Sequence, residues 1–282
     1  MIQYLDLLKR VMDHGTLQQN RTGIAAKRLT GAMLEFNLAD GFPVVTTKRL
    51  AFGAVKGELL GFIRGYMNAS QFRKLGCNVW DQNANENREW LDNPNRIGYD
   101  DLGRIYGAQW RCFEGVDGFV DQLRRLLTLI EIDPTNRRMI VNAWNPTELS
   151  KMALPPCHVM WQILIDVERH EISMVMYQRS CDMFLGIPFN IASYALLLEM
   201  LAKVSGYKAG KLCMMLADVH IYENHFDQVN TQMAREPLTP PKLMLEIPHA
   251  HRYIDRLELI EPHHIQLVGY TSHLPIKGAM AV

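Results

Sequence analysis

One cysteine stands where its neighbours could make it a nucleophile. Cys157 lies in the segment Leu154-Pro155-Pro156-Cys157-His158, and the two prolines fix the backbone ahead of the sulfur. A thiolate is a strong nucleophile, and a positive charge beside it favours the ionised form. Buried cysteines are usually structural, however, so this residue alone does not name a reaction.

Arginines are the second group that could carry chemistry. Arg21 in Asn20-Arg21-Thr22-Gly23, the pair Arg137-Arg138, and Arg179 before Ser180 can each hold a phosphate dianion by forked hydrogen bonds. Adjacent arginines are more often a solvated pair. Arg179 directly follows an apolar segment, where a guanidinium without an anionic partner would be costly to bury. A function is therefore predicted most strongly for Arg179.

Two polar residues stand in apolar segments. Asn190 offers an amide donor and acceptor side by side, which match the imide NH and carbonyl of uracil, but its spacing fits a helix N-cap equally well. Glu58 lies on an apolar helix and would have a raised pKa useful for proton transfer, or would be an ordinary exposed glutamate. If the fold brings Asn190, Cys157 and Arg179 together, the site could activate a pyrimidine covalently.

The composition favours one domain, residues 1–282, that binds a small molecule. The chain has 282 residues, 48% of them hydrophobic, which is enough for a large core. Its 30 basic and 30 acidic residues cancel, so no charge surplus marks a nucleic-acid or membrane surface. The N-terminus lacks a signal-peptide pattern, and Pro188, Asn190 and Glu199 interrupt the most apolar stretch. We expect a cytoplasmic protein.

The cysteines predict neither disulfides nor a metal site. The chain has five, an odd number, widely spaced and without a Cys-x-x-Cys pair. Apart from Cys157 they are expected to be inert core thiols, namely Cys77, Cys112, Cys181 and Cys213.

Hydrophobic periodicity predicts the elements that would position these residues. Helical spacing is found around residues 4–11 and 59–63, and again over residues 120–130. Residues 159–165 and 172–178 are apolar on both alternating faces, which is typical of paired strands covered on both sides.

Two further segments complete the prediction of the fold. Residues 191–204 are apolar nearly all round and predict a helix buried through the centre. Residues 81–103 are rich in Asn, Asp, Arg and Gly without a sustained period, which predicts a long surface loop. The pattern is a mixed sheet with helices, so the fold class is α+β.

From end to end, the chain resembles the thymidylate synthase family, which includes folate-dependent deoxypyrimidine hydroxymethylases. The match is dense rather than a single motif. The matching segments are Asn20-Arg21-Thr22-Gly23, Asp40 to Arg49, Gly107-Ala108-Gln109-Trp110-Arg111, Pro155-Pro156-Cys157-His158, Tyr177 to Asp182, Leu185 to Leu196, Asp218 to Tyr222, and Ile276 to Val282.

The resemblance implies a mixed α/β fold with a large mixed sheet at a dimer interface and a buried central helix. It implies that dUMP and methylenetetrahydrofolate are the substrates and that no metal is required. Arg137 and Arg138 match the pair that reaches into the partner subunit's site. Each active site of the homodimer would therefore be shared.

Catalytic positions of the family carry over residue by residue. Cys157 matches the nucleophile that adds to carbon 6 of the pyrimidine, and Arg179 matches the arginine that activates this thiolate and binds phosphate. Glu58 and His158, with ordered water, match the proton-transfer network. Tyr106 matches the tyrosine associated with removal of the carbon 5 proton.

Binding positions carry over in the same way. Asn190 matches the residue that reads uracil. The other nucleotide contacts are matched by Arg21 and Ser180 on the phosphate, by His220 and Tyr222 on the deoxyribose 3′-hydroxyl, and by Asp182. Folate-side positions are matched by Trp80, Leu154, Asp182, Gly186, Phe189, Ala281 and Val282, with Lys48 placed for the glutamate tail.

The chemistry that the resemblance implies is reductive methylation. Thiolate addition to carbon 6 makes carbon 5 nucleophilic, and carbon 5 attacks the folate methylene in its iminium form. After the carbon 5 proton and the folate leave, hydride from tetrahydrofolate reduces the exocyclic methylene. The products would be dTMP and dihydrofolate.

The chain departs from the family at a few positions. Gly61 and Asn83 stand where tryptophan is common, Ala51 where many members have histidine, and Ala217 where glycine is usual. The segment from residue 82 to residue 103 is longer than in the shortest members. A hole at Gly61 would favour the entry of water.

Two alternatives to a thymidylate synthase stay open on the sequence. In a dUMP hydroxymethylase, water rather than hydride captures the exocyclic methylene, although Trp80 and the C-terminal Met280-Ala281-Val282 resemble the groups that exclude water. Asn190 argues for uracil, because a cytosine reader is expected to carry an acid there. A nucleotide- or RNA-binding regulatory protein on the same fold would have no use for Cys157. The neutral charge leaves RNA binding unsupported.

Overall fold

A computed structural model describes residues 1–247 and 257–280 and has the predicted mixture of helices and sheet. The helices are α1 (Ile2–His14), α2 (Phe52–Ile63), α3 (Ala69–Arg73), α4 (Asp81–Asn85), α5 (Arg88–Leu91), α6 (Tyr106–Arg111), α7 (Gln122–Ile132), α8 (Gly186–Ser205) and α9 (Phe226–Met233). The strands are β1 (Thr16–Gln18), β2 (Ala26–Asn37), β3 (Phe113–Gly115), β4 (Gly118–Val120), β5 (Ile140–Asn142), β6 (His158–Asp166), β7 (Glu171–Asp182), β8 (Lys208–Tyr222), β9 (Lys242–Leu245) and β10 (Ile265–Val268). Short 3-10 turns lie at Leu38–Asp40, Leu149–Lys151, Glu223–His225, Leu257–Leu259 and Pro262–His264.

A six-stranded mixed sheet forms the centre, in the order β1-β2-β8-β7-β6-β5. Strands β7 and β8 are parallel, and the other neighbours in this sheet are antiparallel. Strands β3 and β4 pair with each other, as do β9 and β10. The ends of β7 and β8 therefore lie side by side, with Ser180 paired to Asp218 and Asp182 paired to His220.

Helix α8 is the predicted central helix. It packs against α2, β7 and β8, and its side chains are buried nearly all round. It begins at Gly186, five residues before the predicted start at Ile191. Pro188 fits there because the first-turn N–H groups of a helix have no partner inside the helix. The helix is long and apolar enough to cross a membrane, but 83% of that stretch is buried inside the protein, so it is a core helix.

The amphipathic helices follow their sequence pattern. Helix α1 buries one stripe of side chains, at Tyr4, Leu7, Leu8 and Val11. The helix predicted over residues 120–130 begins at Gln122, because the Asp121 side chain caps it by accepting a 2.9 Å hydrogen bond from the Arg124 amide.

One face of the sheet carries large apolar side chains that nothing in the described residues covers. Met33, Met215, Tyr177 and Met160 form a paired row across β2, β8, β7 and β6. Their side chains are between 37% and 59% exposed. The prediction that β6 and β7 are covered on both sides is therefore wrong for the single chain. Strand alternation directs every second apolar side chain to this outer face.

The segment from residue 81 to residue 103 is more ordered than predicted. It contains α4 and α5, which are too short to produce a visible period. Trp90 is fully buried and donates a 2.7 Å hydrogen bond to the Asp101 carbonyl. Asp100 pairs with Arg73 and accepts from the Asn85 amide at 2.8 Å. The prediction of a surface loop is wrong for this anchored part.

Candidate active site

A cavity of about 440 Å³ contains the predicted nucleophile. The turn between β1 and β2 forms one wall, the segment before β6 forms another, and the ends of β7 and β8 form the floor. Its lining includes the following predicted site residues: Arg21, Leu154, Cys157, Arg179, Ser180, His220 and Tyr222.

Cys157 is held through its backbone. Its amide donates a 2.7 Å hydrogen bond to the Tyr106 hydroxyl oxygen, and its carbonyl accepts a 2.9 Å bond from the Arg179 amide. Burial raises the pKa of the Cys157 thiol, while the positive charges of Arg179 and Arg21 act to lower it. The two charges therefore offset only part of the effect of burial, and the pKa of the thiol stays above its ordinary value.

Arg179 is fixed by the two prolines that precede the cysteine. Its Nε donates to the Pro156 carbonyl at 2.8 Å, and its Nη2 donates to the Pro155 carbonyl at 2.9 Å. The guanidinium carbon lies 5.2 Å from the centre of the Trp144 ring. These contacts hold the cation beside the sulfur before any ligand is present.

The cavity wall presents further polar groups. Asn20 shapes the turn that carries Arg21, since its side-chain oxygen accepts from the Thr22 amide at 2.9 Å. His220 Nδ1 lies 3.1 Å from the Asp218 carbonyl and therefore donates to it. The rings of His220 and Tyr222 are 5.1 Å apart. Two arginines, a hydroxyl and a His-Tyr pair thus face one space.

Asn190 lies within the first turns of α8 and does not cap it. Its residue is 8% exposed, and its side-chain oxygen accepts a 3.0 Å hydrogen bond from Gln178. The helix-cap alternative is therefore wrong. Gln178 is itself buried and also donates to the Ser180 carbonyl at 3.0 Å, so it fixes which way the Asn190 amide points.

Glu58 is buried rather than exposed. It accepts a 2.9 Å hydrogen bond from the indole N–H of Trp80. Burial raises the pKa of Glu58 to about 8, with the Trp80 bond acting in the opposite direction. The carboxyl group is therefore protonated at neutral pH and can give a proton.

Asn190, Glu58, His158 and Tyr106 are buried residues that do not line the cavity, and together they are called the inner layer here. Burial lowers the pKa of His158 to about 4, while a hydrogen bond with Asn190 acts in the opposite direction. The imidazole is therefore neutral at neutral pH. Burial raises the pKa of Tyr106 well above its ordinary value. The Tyr106 oxygen accepts from the amides of Cys157 and His158, so its own proton is free to point elsewhere.

The hole expected at Gly61 does not exist. A methyl group added to Gly61 would lie 2.3 Å from the Phe72 ring. Phe72 is fully buried, with its ring 5.8 Å from that of Phe62 and 6.2 Å from that of Trp80. The phenylalanine fills the space that the glycine leaves, so the expectation of water entry at this point is wrong.

Three of the predicted folate-side residues, Asp182, Gly186 and Phe189, lie around the start of α8, whereas Leu154 lines the Cys157 cavity and Trp80 bonds Glu58. The Asp182 side chain accepts hydrogen bonds from the Phe184 and Leu185 amides at 2.9 and 3.2 Å. An added methyl on Gly186 would meet the Asp182 and Asn190 side chains only at 3.6 Å and 3.7 Å. Phe189 is half-buried there. Ala281 and Val282 lie outside the described residues.

Lys48 points inward instead of lying free at the surface. It is 5% exposed, and its amine donates a 2.5 Å hydrogen bond to the Phe184 carbonyl. Burial lowers the pKa of Lys48 to about 8, with the Asp182 charge acting to raise it. This position does not offer the amine to a glutamate tail, in contrast to the expectation.

Arg137 and Arg138 are not among the residues that line the cavity. The Arg137 carbonyl accepts a 2.9 Å hydrogen bond from Gln162 on β6. Arg138 lines a separate cavity of about 250 Å³ beside α7. Within one chain, the structure does not bring these arginines to Cys157.

Sequence reasoning missed several residues of the site. Trp144, Asn87 and Glu89 line the cavity, but none belongs to a local motif with a chemical signal. Gln178 stands inside the quoted Tyr-Gln-Arg-Ser motif, and a buried amide on a strand is a signal that could have identified it. Among the described residues, no group of three or more His, Cys, Asp or Glu side chains could hold a metal.

The chain is similar to one protein family over nearly its whole length. The family profile described as Thymidylate synthase matches residues 2–282. Curated relatives named thymidylate synthase are 44% identical in Pseudomonas putida, 42% in Pseudomonas syringae pv. tomato and 41% in Bordetella parapertussis. Each alignment covers 100% of this chain and 100% of the relative. The chain therefore belongs to the thymidylate synthase family.

Proposed function

We propose that the protein is a thymidylate synthase, an enzyme that converts dUMP to dTMP with methylenetetrahydrofolate. The observation that carries the proposal is the arrangement at Cys157. Its sulfur shares a cavity with Arg179, whose guanidinium is tied to the Pro155 and Pro156 carbonyls. A nucleophile and a fixed cation in one pocket support covalent activation of an electron-poor ring.

The nucleotide would be held by the cavity wall. Arg21, Arg179 and Ser180 supply charged and hydroxyl donors for a phosphate dianion. His220 and Tyr222 supply polar atoms for a sugar hydroxyl. Fixing the phosphate and sugar in this way would place the pyrimidine next to the thiolate, which lowers the entropic cost of addition.

The inner layer would read the base and move protons. Asn190, oriented by Gln178, would pair with the imide of uracil. Glu58 holds a proton at neutral pH and would donate it to the ring when the thiolate adds. Tyr106 lies against the Cys157 amide and would act near the adjacent carbon 5. Neutral His158 packs between the Tyr106 and Tyr194 rings.

The residues at the start of α8 fit a folate. Asp182 offers carboxylate oxygens to ring N–H donors, and Leu154 and Phe189 give half-buried apolar surface. Because Gly186 has no side chain, a flat ring could come closer to Asn190 there. The folate would supply the one-carbon unit and the hydride. Trp80, Phe72 and Phe62 form a packed aromatic layer that would exclude water from this side.

A homodimer with shared sites is part of the proposal. The row Met33, Met215, Tyr177 and Met160 is an apolar sheet face that a second copy would bury. A cavity of about 660 Å³ on this face shares Arg179 with the Cys157 cavity. It would let arginines of a partner subunit reach the phosphate. The family match over residues 2–282 supports one catalytic domain.

Product analysis tests the proposed function. The purified protein is incubated with dUMP and methylenetetrahydrofolate, and the nucleotide product is identified by mass spectrometry. We expect dTMP together with dihydrofolate. A product heavier than dTMP by one oxygen would instead identify a hydroxymethylase, and binding of dUMP without any turnover would identify a regulatory binder.

A further inference from the structure

His225 bonds the C-terminal segment, here residues 276–280. The histidine ends the 3-10 turn that follows β8 and is fully buried. Its Nε2 lies 2.8 Å from the Ala279 carbonyl. Because a carbonyl oxygen only accepts, Nε2 carries the proton and donates it. Nδ1 is buried and meets no hydrogen-bond partner in the described part of the chain, so this bond is the one that orients the ring there.

The C-terminal segment fits against His225 only because residue 278 is glycine. A methyl group added to Gly278 would lie 2.7 Å from Phe184 Cε1 and 2.9 Å from His225 Nε2. Both distances are below any normal contact with a side-chain carbon. The backbone of the segment therefore lies directly on the Phe184 and His225 rings, whose centres are 4.9 Å apart.

Lys48 packs against Phe184. Its carbonyl accepts the 2.5 Å hydrogen bond from the Lys48 amine, which also lies 3.6 Å from the centre of the Phe184 ring. Both residues are buried. The surface on which the C-terminal segment docks is therefore formed by two packed rings, with a buried amine against one of them.

The His225 ring also lies near a residue of the cavity wall. Its centre is 6.2 Å from that of Tyr222, with the rings at 89°. Tyr222 lines the Cys157 cavity and packs edge-on against His220. One histidine ring thus lies next to both the C-terminal segment and a tyrosine that lines the Cys157 cavity.

We propose that His225 is a positioning residue that holds the C-terminal segment in its docked position and couples this docking to the nucleotide site. A ligand that orders Tyr222 also orders the His225 ring, which lowers the cost of docking the segment. Coupling of this kind is reciprocal, so a docked segment also favours nucleotide binding. The inference rests on the proposed function for its dUMP and kinetic readouts, whereas the docking of the segment on His225 does not.

Hydrogen exchange of the peptide that contains residues 276–280 tests the docking directly. His225→Phe keeps a ring against Phe184 but cannot donate to Ala279, so we expect exchange about fivefold faster, the effect of losing one neutral hydrogen bond. We also expect dUMP to slow this exchange in the wild type and not in His225→Phe. His225→Gln restores a donor and should lie close to the wild type.

A matched control comes from a second histidine. His170 Nε2 bonds the Gly206 carbonyl at 3.0 Å, but at an exposed position. His170→Phe should leave the exchange of the C-terminal peptide unchanged. Equal exchange in wild type and His225→Phe would overturn the proposal.

A second variant reaches the same contact from the other side. Gly278→Ala cannot seat on the two rings and should loosen the segment without touching the core around His225. Its control is Gly53→Ala, where an added methyl meets nothing within 4 Å. If Gly278→Ala exchanges like the wild type, the close contact is not what holds the segment.

Kinetic measurements then distinguish a role of His225 in positioning the C-terminal segment from a general loss of stability. In both loosening variants we expect the KM for methylenetetrahydrofolate to rise by about tenfold, with a smaller rise for dUMP and with His225→Gln near the wild type. A wild type that is inactive but shows the expected exchange pattern would contradict the proposed function and leave the docking role standing. An active wild type whose folate KM does not respond to either variant would contradict the positioning role.

Discussion

Contacts with one or two neighbouring residues fix the orientation of the groups that are proposed to react. Arg179 would lose much side-chain entropy on binding a ligand if it were free, but the Pro155 and Pro156 carbonyls already fix it. The orientation of Asn190 is likewise set by Gln178, and Trp80 orients Glu58. Each partner determines the direction of a group that would act on the nucleotide.

The protonation of Glu58 gives a prediction about pH. Its pKa is raised from 4.5 to about 8 in the folded chain. Between these values the unfolded chain is ionised and the folded chain is not, so this group makes stability fall as pH rises, by about 1.4 kcal/mol per pH unit. Glu58→Gln keeps an acceptor for Trp80 but cannot ionise.

We therefore expect Glu58→Gln to be more stable than the wild type, by a margin that grows across this pH range, while its turnover is lost. Urea unfolding at several pH values measures the margin. A difference in unfolding free energy that stays constant with pH would show that the Glu58 pKa is not raised. In the wild type, the fraction of enzyme that can donate the Glu58 proton should fall as pH passes about 8.

Asn190→Asp tests the reading of the base. The aspartate keeps an oxygen for Gln178 but replaces the amide donor with an acceptor, which must be protonated to pair. Cytosine offers an amino donor beside a ring acceptor, so it fits a protonated acid better than uracil does. We expect the dCMP to dUMP ratio of kcat/KM to rise by at least about tenfold, equivalent to roughly 1.4 kcal/mol. An unchanged ratio in steady-state kinetics would remove Asn190 from base recognition.

At the scale of elements, the sequence predicted those with a long period. Helix α8 and strands β6 and β7 were predicted from their apolar runs. The start of α8 was missed because Pro188 reads as an interruption, although a first turn accepts it. Helices α4 and α5 were missed because four or five residues show no period, and because Trp90 is anchored by Asp101, a contact that the local sequence does not show.

The site residues likewise divide into those that local motifs indicate and those whose contacts depend on the tertiary fold. Cys157 and Arg179 stand in local motifs, so the residues around them made them candidates, while their roles came from the resemblance to the family. The bonds from Arg179 to the two prolines depend on the pairing of β6 with β7, which brings His158 opposite Gln178. Such register-dependent contacts cannot be derived from local spacing. Sequence reasoning also missed that Phe72 fills the space at Gly61. This contact depends on the packing of α2 against α3, which local spacing does not show.

The Gly61 and Phe72 contact gives a prediction at this scale. Gly61→Ala should push against the buried Phe72 ring and destabilise the fold by about 1 to 3 kcal/mol. Gly53→Ala on the same helix meets no neighbour within 4 Å and should be neutral or slightly stabilising. Urea denaturation of the two variants measures the difference. Equal stabilities would show that Phe72 does not fill the space at Gly61.

At the scale of the whole molecule, a dimer would account for both the uncovered sheet face and the position of the arginine pair. Arg138 does not line the Cys157 cavity of its own chain. The apolar row of Met33, Met215, Tyr177 and Met160 lies on the face that carries the second opening to Arg179. Burying this face against another copy would remove apolar surface from water. It would also bring arginines of the partner subunit to the proposed phosphate position.

Mixing two inactive proteins tests the shared site. Arg138→Ala subunits and Cys157→Ala subunits are unfolded, mixed and refolded. Some heterodimers then have one site with a native Cys157 and a native arginine from the partner subunit, so we expect activity to reappear, up to about a quarter of the wild-type level for random pairing with one restored site per heterodimer. Each protein refolded alone is the control. A mixture that stays inactive although heterodimers form would show that the sites are not shared.

In the proposed reaction the Cys157 sulfur is the nucleophile, and Cys157→Ala removes it. The measurement is the rate of dTMP formation together with dUMP binding by calorimetry, with Cys213→Ala, a half-buried thiol outside the cavity, as the matched control. We predict no detectable turnover in Cys157→Ala, dUMP affinity close to the wild type, and a near-normal rate in Cys213→Ala. A Cys157→Ala protein that keeps about a tenth of the wild-type rate, a barrier change of only about 1.4 kcal/mol, would contradict the account.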